Sequence, residues 1–138
     1  MLVLLLRIAD RHYGLDARDI AEVLPCVPLQ PLRDAPEGIA GMLQHRDGAA
    51  PVIDLIRLRT GVSPTALLST RLVLLRPDAL SGSVALLVEG ATQMLRIDAP
   101  ADPTALLVLP DGTGVALVGW RDLIPPALHA RLPASPPP

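Results

Sequence analysis

Apolar residues occur along this chain in short runs, broken at close intervals by turn-forming residues. Leu2 to Ile8 is an apolar run that ends at Asp10-Arg11, and its length fits a strand buried on both faces. Tyr13-Gly14-Leu15 reads as a short second strand, so the first two strands form a hairpin. Asp16 is placed to cap a short turn of helix over Ala17 to Ile20. Glu22-Val23-Leu24 resumes an extended segment that stops at Pro25. Three prolines between Pro28 and Pro36 mark that stretch as loop.

Gly41 to Gln44 reads as a further strand and Ala50 to Ile53 as its return. Between them Asp47-Gly48 is a hairpin turn signal, since both residue types tolerate positive φ. Asp54 can cap a short helix over Leu55 to Arg59, which Gly61 and then Pro64 stop. The second half follows the same logic. Leu72 to Leu75 and Val84 to Val88 are apolar strands around a turn at 77–82. Thr92 to Ile97 alternates as a half-exposed strand does. Leu106 to Leu109 and Val115 to Val118 flank a second hairpin signal, Asp111-Gly112-Thr113-Gly114. Asp122-Leu123-Ile124 then starts a short final helix, and the tail Pro133 to Pro138 reads as disordered. A hairpin followed by a capped helix thus occurs twice. Many short strands at close spacing predict small barrels and not a parallel sheet.

Composition narrows this picture. The chain has 138 residues, which predicts one domain or two very small ones sharing a core. With one Trp, one Tyr and no Phe, that core must be built from Leu, Val, Ile and Ala. The formal net charge of −2 argues against nucleic acid, which needs a basic surface to displace counterions. It argues equally against a polybasic membrane patch. The opening apolar run lacks a preceding basic segment and meets Arg7 too early for a signal peptide. No stretch approaches the ~20 apolar residues of a membrane helix, so no membrane insertion is expected. Cys26 is the single cysteine, which leaves no intramolecular disulfide and fits a reducing cytoplasm.

Candidate chemistry is sparse. None of His12, His45 and His129 has a partner at metal-ligand spacing, and Cys26 has no nearby histidine. Asp111-Gly112-Thr113-Gly114 has the wrong order for an aspartic protease, and hairpin chemistry accounts for all four residues. The glycines are too few and wrongly placed for a phosphate loop. No metal, nucleotide or other cofactor is expected. A chain this poor in acids, bases and nucleophiles reads as a binder and not as an enzyme.

The informative stretch is Gly41-Met42-Leu43-Gln44-His45-Arg46-Asp47-Gly48-Ala49-Ala50-Pro51-Val52-Ile53-Asp54-Leu55. It resembles the signature of CheW-like domains, Gly-x-x-Asn-x-Arg-Gly followed by Pro-Val-x-Asp-Leu. Gly41, Arg46, Pro51, Val52, Asp54 and Leu55 match at the family's spacing. Upstream, Tyr13-Gly14-Leu15-Asp16 and Ile20-Ala21-Glu22-Val23 resemble the family's second strand and the segment after it. Downstream, Leu86-Leu87-Val88-Glu89 resembles its Leu-Val-Asp element. The resemblance runs from the first strand to residue 132. The chain departs from the pattern at Gln44, His45 and Asp47, and it is short between Ile97 and Leu106.

The resemblance implies a mainly β fold of two small five-stranded SH3-like barrels packed together, with short helices. The first barrel would span roughly 10–60 and the second roughly 65–125, with the N-terminal strand shared or pairing with either, and a tail at 133–138. It implies a cytoplasmic adaptor, recruited to membrane-associated arrays, that joins a chemoreceptor's cytoplasmic tip to a CheA-type histidine kinase. By position, Ile20, Arg46 and Val88 become receptor-side candidates and Glu22 a kinase-side candidate. Each has a plainer reading beside this one. Ile20 and Val88 are aliphatic residues that core packing explains, and Glu22 is a solvated charge. Asp54 is best read as a helix cap worth about 1 kcal/mol. Arg46 is the strongest functional candidate, because a five-donor fork suits a carboxylate on a partner helix. A regulatory domain detached from a CheA-like kinase, a small enzyme of unrecognised type and a nucleic-acid-binding barrel are the competing readings. The start at Met1 and the short tail favour a free-standing adaptor, and the scarcity of aromatic residues for base stacking counts against the last.

Overall fold

The computed structural model describes residues 1–46, 48–61, 70–77, 83–98 and 106–129, and these are mainly β. Strands β1 (Leu2–Ile8) and β2 (Arg11–Asp16) form the expected antiparallel hairpin, with Leu5 opposite Gly14. Asp16 Oδ1 accepts from Arg18 N at 2.9 Å and so caps a 3-10 turn over Ala17–Asp19. Strand β3 (Ile20–Pro25) follows. The proline-rich loop leads to β4 (Ile39–His45) and β5 (Gly48–Asp54), and Asp54 then caps α1 (Leu55–Thr60). Asp54 is buried, its Oδ1 accepts from Arg57 N at 2.9 Å, and Gly61 ends the helix in the left-handed region at φ 80°. Past this come β6 (Thr70–Leu75), β7 (Ala85–Arg96), β8 (Leu106–Val108), β9 (Gly114–Val118), a 3-10 turn over Trp120–Leu123 and α2 (Pro126–His129).

Three expectations need correction. Gly48 already pairs with His45 across β4 and β5, so the chain reverses one residue earlier than the Asp47-Gly48 signal implies. Val84 to Val88 and Thr92 to Ile97 are not separate strands, because β7 runs unbroken from Ala85 to Arg96. A bulge absorbs the change of pattern: the β1 register steps from Leu5 opposite Gln93 to Arg7 opposite Glu89, with Gly90 at φ 78°. Asp122 does not start the helical turn that follows β9, and the final helix is α2. Asp122 sits inside that turn, and its Oδ2 accepts from Gly119 N at 3.1 Å, so the turn begins at Trp120. Asp47, Pro64, the turn at 78–82 and the tail at 133–138 lie outside the described residues.

The strands pair in two groups that share β7. One group runs β4-β5-β7-β6-β3, and the other runs β7-β1-β2-β9-β8. The sheet is not purely antiparallel, since β5 lies parallel to β7 and β2 parallel to β9. The first group closes on itself. Beyond β3 the chain returns at Gln30, which exchanges two backbone hydrogen bonds with Met42 of β4, at 2.9 and 2.8 Å. That closure brings backbone against backbone at Gly41. A Cβ there would stand 2.7 Å from the Gln30 carbonyl oxygen, and φ is 152°. Gly41 is therefore required by the approach of two strands as well as by its own conformation.

Burial follows the two-residue period of the strands. Leu72, Leu74, Ala85, Leu87 and Val52 point into a core enclosed by the closed group, together with Leu43 and Ala50. The alternate residues Val73, Leu75, Leu86, Val88 and Ile53 point the other way. They meet Leu4, Leu6, Ile8, Tyr13, Leu15 and Trp120 from the second group. Strands with a core on each face explain the continuous apolar runs in the sequence.

Two outcomes are expected from this packing. Gly41→Ala and Leu72→Ala should each destabilise the fold, the latter by about 2–5 kcal/mol, as measured by urea unfolding. Acid should weaken the fold in a traceable way. The Arg18 guanidinium hydrogen-bonded to Asp16 holds that carboxyl below its ordinary value, and the Thr113 backbone amide does the same for Asp111. A depressed carboxyl stabilises the fold fully above its unfolded pKa, and the contribution is lost as pH falls through the folded value. The urea midpoint should therefore drop on acidification through and below the carboxylate range. The drop should be shallower in Asp16→Asn, which retains only the Asp111 contribution.

Candidate partner-binding surface

The signature residues can be sorted by what each does in the fold. Gly41 admits the Gln30 backbone. Pro51 is buried one residue before β5 begins to pair with β7, where its missing N–H leaves no ladder bond unmade. Val52 fills the closed core, Asp54 caps α1 and Leu55 is buried beneath it. Arg46 alone among the matched positions is exposed, at the reversal between β4 and β5. The hairpin that presents it is fastened from the side. Gln44 Nε2 donates to Gln30 Oε1 at 2.9 Å, next to the backbone bridge between Gln30 and Met42. Gln44 stands where the family has Asn, and the extra methylene lets its amide reach that loop. Gln30 was not legible as part of this support, since a single amide among prolines carries no pattern.

The other candidates lie in different settings. Val88 has no exposed surface and Ile20 is 6% exposed, and both pack in the core between the two strand groups. Glu22 is exposed on β3. Strand register fixes their spacing, because Glu22, Leu74, Ala85 and Val52 lie in one row across β3, β6, β7 and β5. Arg46 is six residues before Val52 along the chain, about 20 Å of strand rise from that row. Ile20 sits one step from the row toward Arg46, opposite Leu75. Val88 lies three residues beyond the row on the opposite side. Arg46 and the exposed Glu22 thus belong to the surface of the same strand group, whereas Val88 and Ile20 contribute to its support.

Among the described residues no group of three His, Cys, Asp or Glu side chains is placed to hold a metal ion. No helix among them is long and apolar enough to cross a membrane. The surface of this strand group carries an exposed guanidinium on a braced hairpin and an exposed carboxylate on β3.

The fold is mainly β, with two strand groups sharing one long strand and an exposed arginine at the turn of the β4–β5 hairpin. The model of the CheW-like domain matches residues 2–118, and the chain belongs to that family. No match was found among curated proteins. Among solved structures, the chain is similar to the scaffolding protein TtCheW from Thermoanaerobacter tengcongensis, with a TM-score of 0.69 and 22% identity. The likeness covers 90% of this chain and 87% of that one, and it shows a shared fold. Membership places the chain among the scaffolds of chemotaxis signalling.

Burial makes the role of Val88 testable. Val88→Ala should cost about 2 kcal/mol of folding stability through the cavity it leaves. A thermal melt that matches the unaltered protein would show that the side chain does not contribute to the core.

Proposed function

We propose that this chain is a non-catalytic adaptor that couples the cytoplasmic tip of a chemoreceptor to a CheA-type histidine kinase. The observation that carries this reading is the exposure of Arg46. The other matched signature residues each have a task in folding, so the arginine is the position left for recognition. A guanidinium offers five donors in a rigid plane and pairs bidentately with a carboxylate on a partner helix. In this reading Arg46 meets the receptor and Glu22, on β3, meets the kinase. The adaptor works in the cytoplasm, held at membrane-associated receptor arrays by these contacts. Residues 1–132 act as one CheW-like unit, in which the two strand groups are the two barrels of the family fold.

The test is a charge reversal at each position, read against each partner. Arg46→Asp should weaken binding to the receptor's cytoplasmic fragment, by about 2–5 kcal/mol if the partner charge is left buried. Its melting temperature should stay near that of the unaltered protein, since surface substitutions shift stability by only about 0.5 kcal/mol. Glu22→Lys should spare the receptor and weaken the kinase. Calorimetry against both fragments decides. Unchanged receptor affinity in Arg46→Asp removes Arg46 from the site, and lost affinity with a collapsed melt makes it a structural residue.

A further inference from the structure

Strand β4 is fastened along one edge by β5, and on its other edge the described residues give it a single backbone tie, the bridge from Gln30 to Met42. The tie comes from a stiff piece of chain. Leu29 and Gln30 stand between Pro28 and Pro31, and a residue that precedes proline is held to extended backbone, the conformation a bridge needs. Alternation then sends the two side chains opposite ways. Leu29 packs against the closed core, and Gln30 is exposed. Gln44 lies two residues beyond Met42 on β4, diagonally across from Gln30, and its Nε2 donates to Gln30 Oε1 at 2.9 Å. Gln44 is also the last exposed residue of β4, two positions before Arg46. Its length matters. The asparagine that the CheW-like signature has at this position is shorter by one carbon–carbon bond, about 1.5 Å. With the backbone unchanged, its amide would fall short of a hydrogen bond to Gln30.

We propose that Gln30 is a positioning residue for receptor recognition: through Gln44 it fixes the direction in which the β4–β5 turn presents Arg46, and it does so without touching the receptor. The inference rests on Arg46 as the receptor contact. A two-strand tip tied on one edge alone can tilt, and every orientation that carries the guanidinium away from its partner carboxylate is lost to binding. A planar, bidentate donor is sensitive to such misdirection. A second tie close to the tip removes part of that freedom before the partner arrives, which lowers the ordering cost of the complex. The amide pair is worth little to the fold, since both side chains are exposed and the backbone bridge to Met42 holds without them. Its effect is therefore in affinity and not in stability.

Titration of the full chain with the receptor's cytoplasmic fragment, followed by NMR so that weak affinities are read, tests this. Gln30→Ala, Gln44→Ala and Gln44→Asn should each weaken binding about threefold to tenfold, the range expected for one lost hydrogen bond. Their thermal melts should match that of the unaltered protein, and three variants are made so that one unfolded variant does not decide the matter. The effect should require Arg46: in an Arg46→Ala background, Gln30→Ala should change affinity by less than about twofold. A residue that only supports the fold would weaken binding in both backgrounds. Backbone relaxation gives a readout without the partner, since Gln30→Ala should lower the order parameters of the His45 and Arg46 amides and leave that of Val52 unchanged. Affinity that survives Gln30→Ala and Gln44→Asn but is lost in Arg46→Ala would overturn the positioning role alone. Affinity that survives Arg46→Ala would remove the receptor contact itself, and the positioning role with it. An equal loss from Gln30→Ala in both backgrounds, or unchanged order at His45 and Arg46, would also overturn the proposal.

Discussion

Strand β7 is the element on which the rest of the architecture depends. Its first half, from Ala85, pairs with β6 on one edge and β5 on the other, and its second half, to Arg96, pairs with β1. Because successive side chains point to opposite faces, Ala85 and Leu87 serve one core while Leu86 and Val88 serve the other. A single strand therefore holds the closed group together and also joins it to the second group. The bulge at Gly90 is where these two duties meet. It lets the strand change partner, and Arg7 and Glu89 are ion-paired across that point, with Arg7 Nε 3.0 Å from the Glu89 carboxylate. An aliphatic composition suits this arrangement. Leu, Val, Ile and Ala fit between closely spaced sheets, and the two large rings, Tyr13 and Trp120, lie toward the margin with a polar atom or an arginine beside each.

The same constraint makes the signature intelligible. A five-strand ring needs its two end members to meet, and here the chain just past β3 meets β4 through Gln30 and Met42, next to a glycine without a side chain to obstruct them. Asp54 ends β5 and starts α1, and its amide is tied to the Gly38 carbonyl at 2.7 Å. These residues fix the β4–β5 hairpin at its base. The bond from Gln44 to Gln30 braces it further along. An interaction residue at the tip of such a hairpin is presented in a defined direction, which lowers the ordering cost of binding.

Most of the strands were legible because the apolar runs are short and are ended by Gly, Pro or Asp. The caps at Asp16 and Asp54 were legible because capping is local: an acidic side chain meets a backbone amide two or three residues on. The errors were local as well. The unbroken β7 was hidden because polar residues past Glu89 look like a strand break, yet they face solvent on a strand that continues. The start of the helical turn after β9 was misplaced because Asp122 resembles a cap, whereas its carboxylate reaches back to an amide that precedes it.

For this protein, then, the order of residues determined the elements, the family and the exposed arginine of the signature, since each depends on neighbours within a few positions. Tertiary structure decided what depends on distant ones. The parallel pairings of β2 with β9 and β5 with β7 join segments far apart in the chain, and no local pattern encodes them. The same holds for the burial of Val88 and Ile20, which are aliphatic wherever they fall and become core only when two strand groups close over them. Local rules act through backbone geometry over a turn or two. Adjacency of remote residues is set by packing, here by the two cores that the strands share.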